Sequence, residues 1–395
     1  FAVRLPNGGT GYCSVMGMAG EHLALAVYPG EQGLESLRRI QEAGGAIERF
    51  ELPNELKMQE SMLSQLCIQC SFENKSMLSP EELDSVRAYG ARRGVKFRGS
   101  RAFPQFVTYR PAMVPVPAVS EEDIRILCEA LRAAAAVNET LRGAKWTKLE
   151  NERLGFSGGP AAGRTVPLLA WDGDAYTWSV GTLPDAAPPA YPRPVLRDDI
   201  LLTRLKRAKK RDTSWVCDVV MCPQPIQDNE GDTPVFPYVL LAADQETEAV
   251  LPPAMVRDYE KEADTLLHSL GERMLELCVP RRMIVTDDRT YAFLENFTSS
   301  LGIKLAQARE NELLEELESD FAETLMDGEG DDLDEEEAAE LIGGFLMNLD
   351  DATLLQLPQP VWESIRAEIN KGFVPADVKD RFCDLNEKRR GRPKP

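Results

Sequence analysis

Thiols and imidazoles are the groups most able to bind a metal or attack a carbonyl, and this chain has eight cysteines and two histidines in 395 residues. Cys67 and Cys70 form a C-x-x-C inside "QLCIQCSF", with no second C-x-x-C to follow. A structural zinc site takes four nitrogen or sulfur ligands. Here it would have to recruit isolated cysteines, because His22 and His268 stand alone, so no zinc is expected. A redox C-x-x-C belongs where a strand meets a helix N-terminus that stabilises the thiolate; this pair lies within an apolar run that reads as strand. Cys13, Cys128, Cys217, Cys222, Cys278 and Cys383 are scattered through apolar stretches, as reduced thiols of a cytosolic protein are. Nucleophilic catalysis has little to work with: no G-x-S-x-G elbow occurs, His22 falls in a turn, and His268 sits inside a long helical pattern.

Charge is the second chemical feature. The formal net charge is -20, which excludes a generally basic nucleic-acid coat and disfavours an anionic membrane surface. From Glu310 to Ile365 there is no Lys or Arg, and sixteen carboxylates lie between Glu310 and Glu340. The rest of the chain is close to neutral. Within that segment "DGEGDDLDEEE" imitates a calcium loop, but with Asp327 as its first position Asp332 replaces the turn glycine and Ala338 the bidentate glutamate. It reads as a solvated linker leading into a helix N-terminus. Two stretches are basic. Arg204 to Arg211, "RLKRAKKR", carries six cations in eight residues and reads as a solvated helix face, with a phosphate-binding patch or an internal partner for the acidic segment as alternatives. The tail from Lys388 to Pro395 contains Arg390-Gly391-Arg392-Pro393, which looks like an AT-hook core. In that motif an extended Arg-Gly-Arg enters a narrow A·T minor groove, the two arginines reaching in and the glycine admitting the backbone. The tail thus makes nucleic acid a candidate partner. No apolar run approaches the ~20 residues that span a bilayer, so no membrane association is expected.

These groups must be carried by recognisable elements. "FAVRL", "GYCSVMG" and "HLALAVYP" read as strands, "GLESLRRIQEAGG" as a helix and "QLCIQCSF" as a strand. Ser79, Pro80 and Glu82 form a capping-box start to a helix; "VKFRG" and "QFVTYRP" read as extended, and Ser120 opens a long helix. Residues 143–198 read as a hairpin turning at Asp172-Gly173-Asp174, followed by a proline-rich linker. In the second half, "SWVCDVVMC", "FPYVLLAAD" and "TEAVLP" are candidate strands. A long helix from Ala254 places Met255, Tyr259, Leu266, Leu270 and Leu277 near one face. A strand at "RRMIVTDD", a helix to Gly302, a strand at "IKLAQA" and a final helix complete the unit. Each half therefore has the order βββαβαβα, read as an ancient duplication or as two independent units. The expected fold class is α+β, with two mixed sheets and a small acidic all-α C-terminal module. The boundaries are 1–142, 143–198, 199–322, 323–387 and 388–395.

The element order of residues 213–320 resembles the ribonuclease H-like fold, as in retroviral-type integrases and transposases. That resemblance implies a catalytic Asp on the first strand, a second after the fourth strand and a third carboxylate on the last helix, together holding two divalent metals such as Mg for phosphodiester chemistry. Asp218 in "WVCDVV" takes the first position, and Asp287 or Asp288 in "VTDDRTY" the second. Glu310, Glu312, Glu315 and Glu316 compete for the third. Each also has a structural role open to it: Asp pairs after a strand cap the next helix, and so acidic a helix matches by chance.

The opening "FAVRLPNGGTGYCSVMG" resembles the start of one domain of unknown function, and "WVCDVV" through "VTDDRTYAFLENFTSSLGIKL" resembles another. These resemblances imply a bacterial, cytoplasmic setting and supply no activity. The segregated charge, the scarcity of histidine and the lack of a convergent catalytic motif lead us to expect a non-enzymatic interaction or regulatory protein. It would have a protein partner and no cofactor. The alternatives are a divalent-metal nuclease, or a degenerate relative of one, and a DNA-associated protein acting through the tail.

Overall fold

In the computed structural model, residues 1–17, 23–48, 55–99, 101–142, 165–229, 231–326, 354–355, 362, 365–366, 369 and 376–390 are described. The first unit is built on eight strands: β1 (Ala2–Arg4), β2 (Thr10–Met16), β3 (Ala24–Pro29), β4 (Cys67–Glu73), β5 (Phe103–Tyr109), β6 (Val116–Pro117), β7 (Thr165–Trp171) and β8 (Tyr176–Thr182). Their spatial order is β6-β5-β4-β3-β2-β1-β7-β8. Every pairing is antiparallel except β1 beside β7. A central strand with both faces covered has no need to alternate, and β3, "ALAVYP", is buried at five of six positions. Helix α4 (Glu121–Arg142) lays Ile126, Ala130, Ala133 and Val137 on the face that holds Leu25, Val27, Ile68 and Cys70. Helix α1 (Gly30–Glu48) covers the other face, packing Leu34, Leu37 and Ile40 near Tyr12, Tyr28 and Cys67. Residues three apart on a strand point to opposite faces. Cys67 and Cys70 therefore enter different cores, and burial pushes their thiols up to about 12 and about 11.

Helix α2 (Glu55–Leu63) follows α1, and α3 (Pro80–Arg93) begins at the expected capping box of Ser79 and Glu82. Gly94 ends α3 in the left-handed conformation. The chain then doubles back, with Val95 N–H on the Gly90 carbonyl, so "VKFRG" pairs with no strand.

The second unit holds β9 (Lys210–Met221), β10 (Tyr238–Asp244), β11 (Ala254–Val256), β12 (Val279–Val285) and β13 (Lys304–Gln307), in spatial order β11-β10-β9-β12-β13. The first three are antiparallel neighbours, and β12 and β13 run parallel to β9. This is the ribonuclease H-like topology. The first unit also opens with three antiparallel strands, but its β4 joins β3 antiparallel where β12 returns beside β9 in parallel. The two sheets thus differ in topology, which speaks against the duplication reading. Helices α5 (Asp199–Arg207), α6 (Tyr259–Glu276) and α7 (Asp288–Leu301) cover one face over Trp215, Cys217, Val219, Met283 and Val285. Helix α8 (Glu312–Met326) covers the other, over Val216, Val220, Val239 and Leu241, and Leu56 of α2 joins that core.

The sequence pattern misplaced the start of α6. Asp258 caps it by accepting from Lys261 N–H, and residues 254–256 instead add the edge strand β11. Met255 and Leu277 are consequently exposed, while Tyr259, Leu266 and Leu270 are buried. The "TEAVLP" stretch contributes only an isolated bridge at Val250. The 165–182 hairpin is an integral part of the first sheet. The chain after it is held along the second unit by Arg193, which pairs with Glu295 and accepts from Asn296. The units also meet where Val114 and Phe236 donate to the carbonyls of Pro234 and Ala112. Near the C-terminus, Trp362, Ile365 and Ile369 pack with Val378, Phe382 and Leu385 of α9 (Ala376–Arg390) in a separate small core. Among the described residues no helix is long and apolar enough to cross a membrane.

Two glycines of α1 test this packing. A Cβ on Gly33 would lie 2.6 Å from the Tyr28 carbonyl carbon, whereas one on Gly44 meets nothing within 4 Å. Gly33→Ala should therefore destabilise by about 1–3 kcal/mol. Gly44→Ala should be neutral or stabilise by up to about 1 kcal/mol. Urea midpoints of the two variants distinguish them.

Candidate functional site

Alternation along β9 sends Trp215, Cys217 and Val219 to the α5–α6–α7 face and Val216, Asp218 and Val220 to the other. Asp218 is thereby set into an apolar wall and is 1% exposed. Its Oδ1 accepts from Thr290 Oγ1 at 2.7 Å. Asp287 follows β12 as the N-cap of α7, accepting from Thr290 N–H at 3.0 Å. One threonine therefore ties both carboxylates to the start of the same helix. The third group is Glu318 of α8, 2% exposed and close enough to raise the pKa of Asp218.

The structure thus brings together two of the expected positions and replaces the third. Asp288 turns outward, where it accepts from Gln307 Nε2 at 2.9 Å. Glu310, Glu312, Glu315 and Glu316 are exposed. Glu318 escaped the sequence reading, though a signal was there. It shares a helical stripe with buried Leu314 and Ala322, four residues to either side. A carboxylate inside an apolar stripe is the more informative one. In the tail, Arg390 is the last residue of α9, so the basic stretch begins helical where an extended Arg-Gly-Arg was expected. The guanidinium of Arg389 lies 4.8 Å from the Trp362 ring centroid. Gly391, Arg392 and Pro393 lie outside the described residues, as do His22 and the 327–340 acidic run. His268 pairs with Asp198, the cap of α5, at 3.3 Å on the opposite side of the sheet.

Helix α2 of the first unit closes over this cluster. Lys57 Nζ lies 3.9 Å from Asp218 Oδ2. One turn on, Glu60 makes a two-pronged ion pair with Arg289, which also donates to the Val219 carbonyl at 3.0 Å. The Arg289 guanidinium lies 5.3 Å from the Tyr238 ring and 5.8 Å from the Tyr191 ring. Burial alone would lower the Arg289 pKa, but the Glu60 charge and hydrogen bonds outweigh it and hold the guanidinium charged.

The carboxyls respond in the opposite sense. Burial raises the pKa of Asp218, and Glu318 raises it further against the opposing effects of Asp287 and Lys57. Burial, then Asp218, pushes Asp287 up to about 6. With both ionised, neither Asp218 Oδ2 nor Asp287 Oδ2 has a hydrogen-bond partner, and the Lys57 ammonium stands 3.9 Å from the former.

An all-oxygen donor set is chemically suited to Mg, but the arrangement does not fit it. Asp218 spends one oxygen on Thr290, its other faces the Lys57 ammonium, and Asp287 is occupied in capping α7. Among the described residues, no group of three or more His, Cys, Asp or Glu is placed to hold a metal ion.

Residues 1–155 match the model of a domain of unknown function, DUF7309, and residues 201–322 match that of a second, DUF6930. Both units are domains of unknown function. No curated protein matches the chain. Among solved structures, it is similar to the HTLV-2 integrase catalytic core domain in complex with magnesium (trimeric form), at 14% identity. That match covers 42% of this chain and 86% of the other, with a TM-score of 0.21. It is also similar to the simian T-cell lymphotropic virus intasome in complex with PP2A regulatory subunit B56 gamma, at 13% identity. There the coverage is 60% of this chain and 65% of that one, with a TM-score of 0.18. Scores this low carry no functional inference. The acidic cluster belongs to the DUF6930 unit, and the helix closing it to the DUF7309 unit.

Both raised carboxyl pKa values mean that the folded chain keeps protons the unfolded chain releases. For Asp287 the associated stability is complete below about pH 4, the ordinary carboxyl range, and is lost as pH rises through about 6. Asp218→Asn keeps the Thr290 bond and supplies an N–H donor. Because the Asp218 pKa is raised, the gain in melting temperature should grow as pH rises and vanish towards about pH 4. Glu60→Ala leaves Arg289 buried without its partner and should cost about 3–5 kcal/mol, read from chemical denaturation.

Proposed function

We propose that the chain is a non-enzymatic interaction or regulatory protein in which a ribonuclease H-like unit serves as scaffold. The observation that carries this reading is the seating of α2 on the acidic cluster. Leu56 is built into the DUF6930 core, Lys57 faces Asp218, and Glu60 is locked to Arg289. A phosphodiester substrate needs open metal-bound carboxylates. Here the equivalent face is filled by the protein's own helix, and its central aspartate is buried. Each carboxylate has work in the fold instead, as helix cap, as threonine acceptor or as a partner across the sheet face.

The described cysteines are all free thiols, with Cys13, Cys67, Cys70, Cys217 and Cys222 buried. This supports a reducing, cytoplasmic setting, where buried thiols persist without pairing. The recognition work falls to the surfaces outside the closed face.

The test is a cleavage assay of the intact chain on labelled single- and double-stranded DNA and RNA with Mg²⁺ or Mn²⁺. We expect no cleavage by the natural chain or by Lys57→Ala. The melting temperature should stay unchanged on adding millimolar metal. Metal-dependent cleavage that disappears in Asp218→Asn would overturn the reading in favour of a nuclease.

A further inference from the structure

At the end of the second sheet away from the acidic cluster, three parallel strands begin together: β9 at Lys210, β12 at Val279 and β13 at Lys304. Lys210 pairs in register with Val279, Arg211 with Pro280, and Ser214 with Arg282. Arg282 lies directly beside Lys304. Helix α5 delivers Arg207 to the same edge, two residues before Lys209. Arg207, Lys209, Arg211, Arg282 and Lys304 are all exposed. Lys210 donates to the Gly302 carbonyl at 2.6 Å, which pins the start of β9 to the turn before β13.

Several cations elsewhere are neutralised within the fold. Arg87, Arg125, Arg193, Arg257 and Arg273 each meet a carboxylate. At this edge the one described pair is Arg281 with Asp212, at 3.6 Å. Among the described residues, Arg207, Lys209, Arg211, Arg282 and Lys304 have no carboxylate partner. Like charges opposite each other on neighbouring strands are destabilising, so Arg282 beside Lys304 calls for an anion between them. Asp218 lies eight residues beyond Lys210 along β9, about 26 Å, and four beyond Ser214, the residue level with Arg282, about 13 Å.

We propose that this edge is a docking surface for the phosphate backbone of double-stranded nucleic acid. The cations come from a helix end and three strand starts at one end of the sheet, which they share with Asp212 and Glu246. Unpaired cations on an open edge suit a polyanion lying across it. Duplex DNA presents one negative charge per ~1.7 Å of its axis, so it meets several of these side chains at once. The contact is to phosphate and independent of base sequence. It adds a partner to the non-enzymatic reading without depending on it, since binding at this edge and cleavage at Asp218 are measured separately.

The experiment is fluorescence anisotropy of a labelled 20-base-pair duplex with the intact chain at low and moderate salt. Three proteins are compared with it. The first carries Arg211→Glu, Arg282→Glu and Lys304→Glu. The second carries the same charge change on the first unit at exposed Arg92→Glu, Arg93→Glu and Lys96→Glu. The third lacks Lys388 to Pro395. We expect salt-sensitive binding by the intact chain and a loss of about tenfold or more in the first variant, since each phosphate contact removed also reduces the salt dependence. The control variant should change less than about twofold by the same reasoning, and the tail deletion should keep its dependence on the three edge cations. Circular dichroism and melting confirm that each variant folds, with Arg282→Ala/Lys304→Ala as a milder replacement. No binding by the intact chain, equal loss in the control variant, or loss on tail deletion alone would overturn the proposal.

Discussion

The ion pair between Glu60 and Arg289 is the interaction on which the rest of the architecture turns. A guanidinium withdrawn from water costs several kcal/mol unless its partners are complete. Arg289 finds its partners in four separate segments: the Glu60 carboxylate on α2, the Val219 carbonyl on β9, the Tyr191 ring in the connecting chain and the Tyr238 ring on β10. Only when the first unit, the connecting chain and the second sheet are assembled together is that charge satisfied. The pair therefore specifies one arrangement of the two units more than it adds to their stability. It also fixes where α2 sits, and so brings Lys57 within reach of Asp218.

That placement explains why carboxylates at nuclease-like positions have a different character here. In a water-filled cleft, Asp218 and Asp287 would stay ionised and repel each other until a cation arrived. Beneath α2 the low-dielectric wall disfavours their charge, and Lys57 supplies part of the compensation for Asp218. The ionisation of these carboxyls is thus set by what covers them as much as by their place in the fold.

Much of this was legible from residue order, for reasons that can be named. The capping box at Ser79 and Glu82, the hairpin at Asp172-Gly173-Asp174 and the alternation around Asp218 are local signals, and each appears as expected. The ribonuclease H-like order of the second unit was legible because its strands and helices alternate clearly. The reading broke down where long-range partners decide the outcome. Ala254 to Val256 has the apolar spacing of a helix, but β10 offers an open edge and Asp258 a cap, so the segment becomes a strand. Asp287 and Asp288 are indistinguishable in sequence, and the hydrogen bond of one to Thr290 and of the other to Gln307 separates them. The closing role of α2 left no trace, because "ELKMQESML" is an ordinary amphipathic stretch whose partners lie more than 150 residues away.

The position of β1 has a consequence for how the first unit is assembled. Residues 2–4 are paired on one side to β2 and on the other to β7, in parallel. Ala2 and Val3 are fully buried. A chain that stopped near residue 155 would leave β1 as an open edge, its unpaired amides and carbonyls free to template another strand. Residues 2–4 thus gain their second neighbour late, because their partner at Leu168 and Leu169 is more than 160 positions downstream. Loop closure over such a span is slow, so that side of β1 depends on whatever shields it until the hairpin docks.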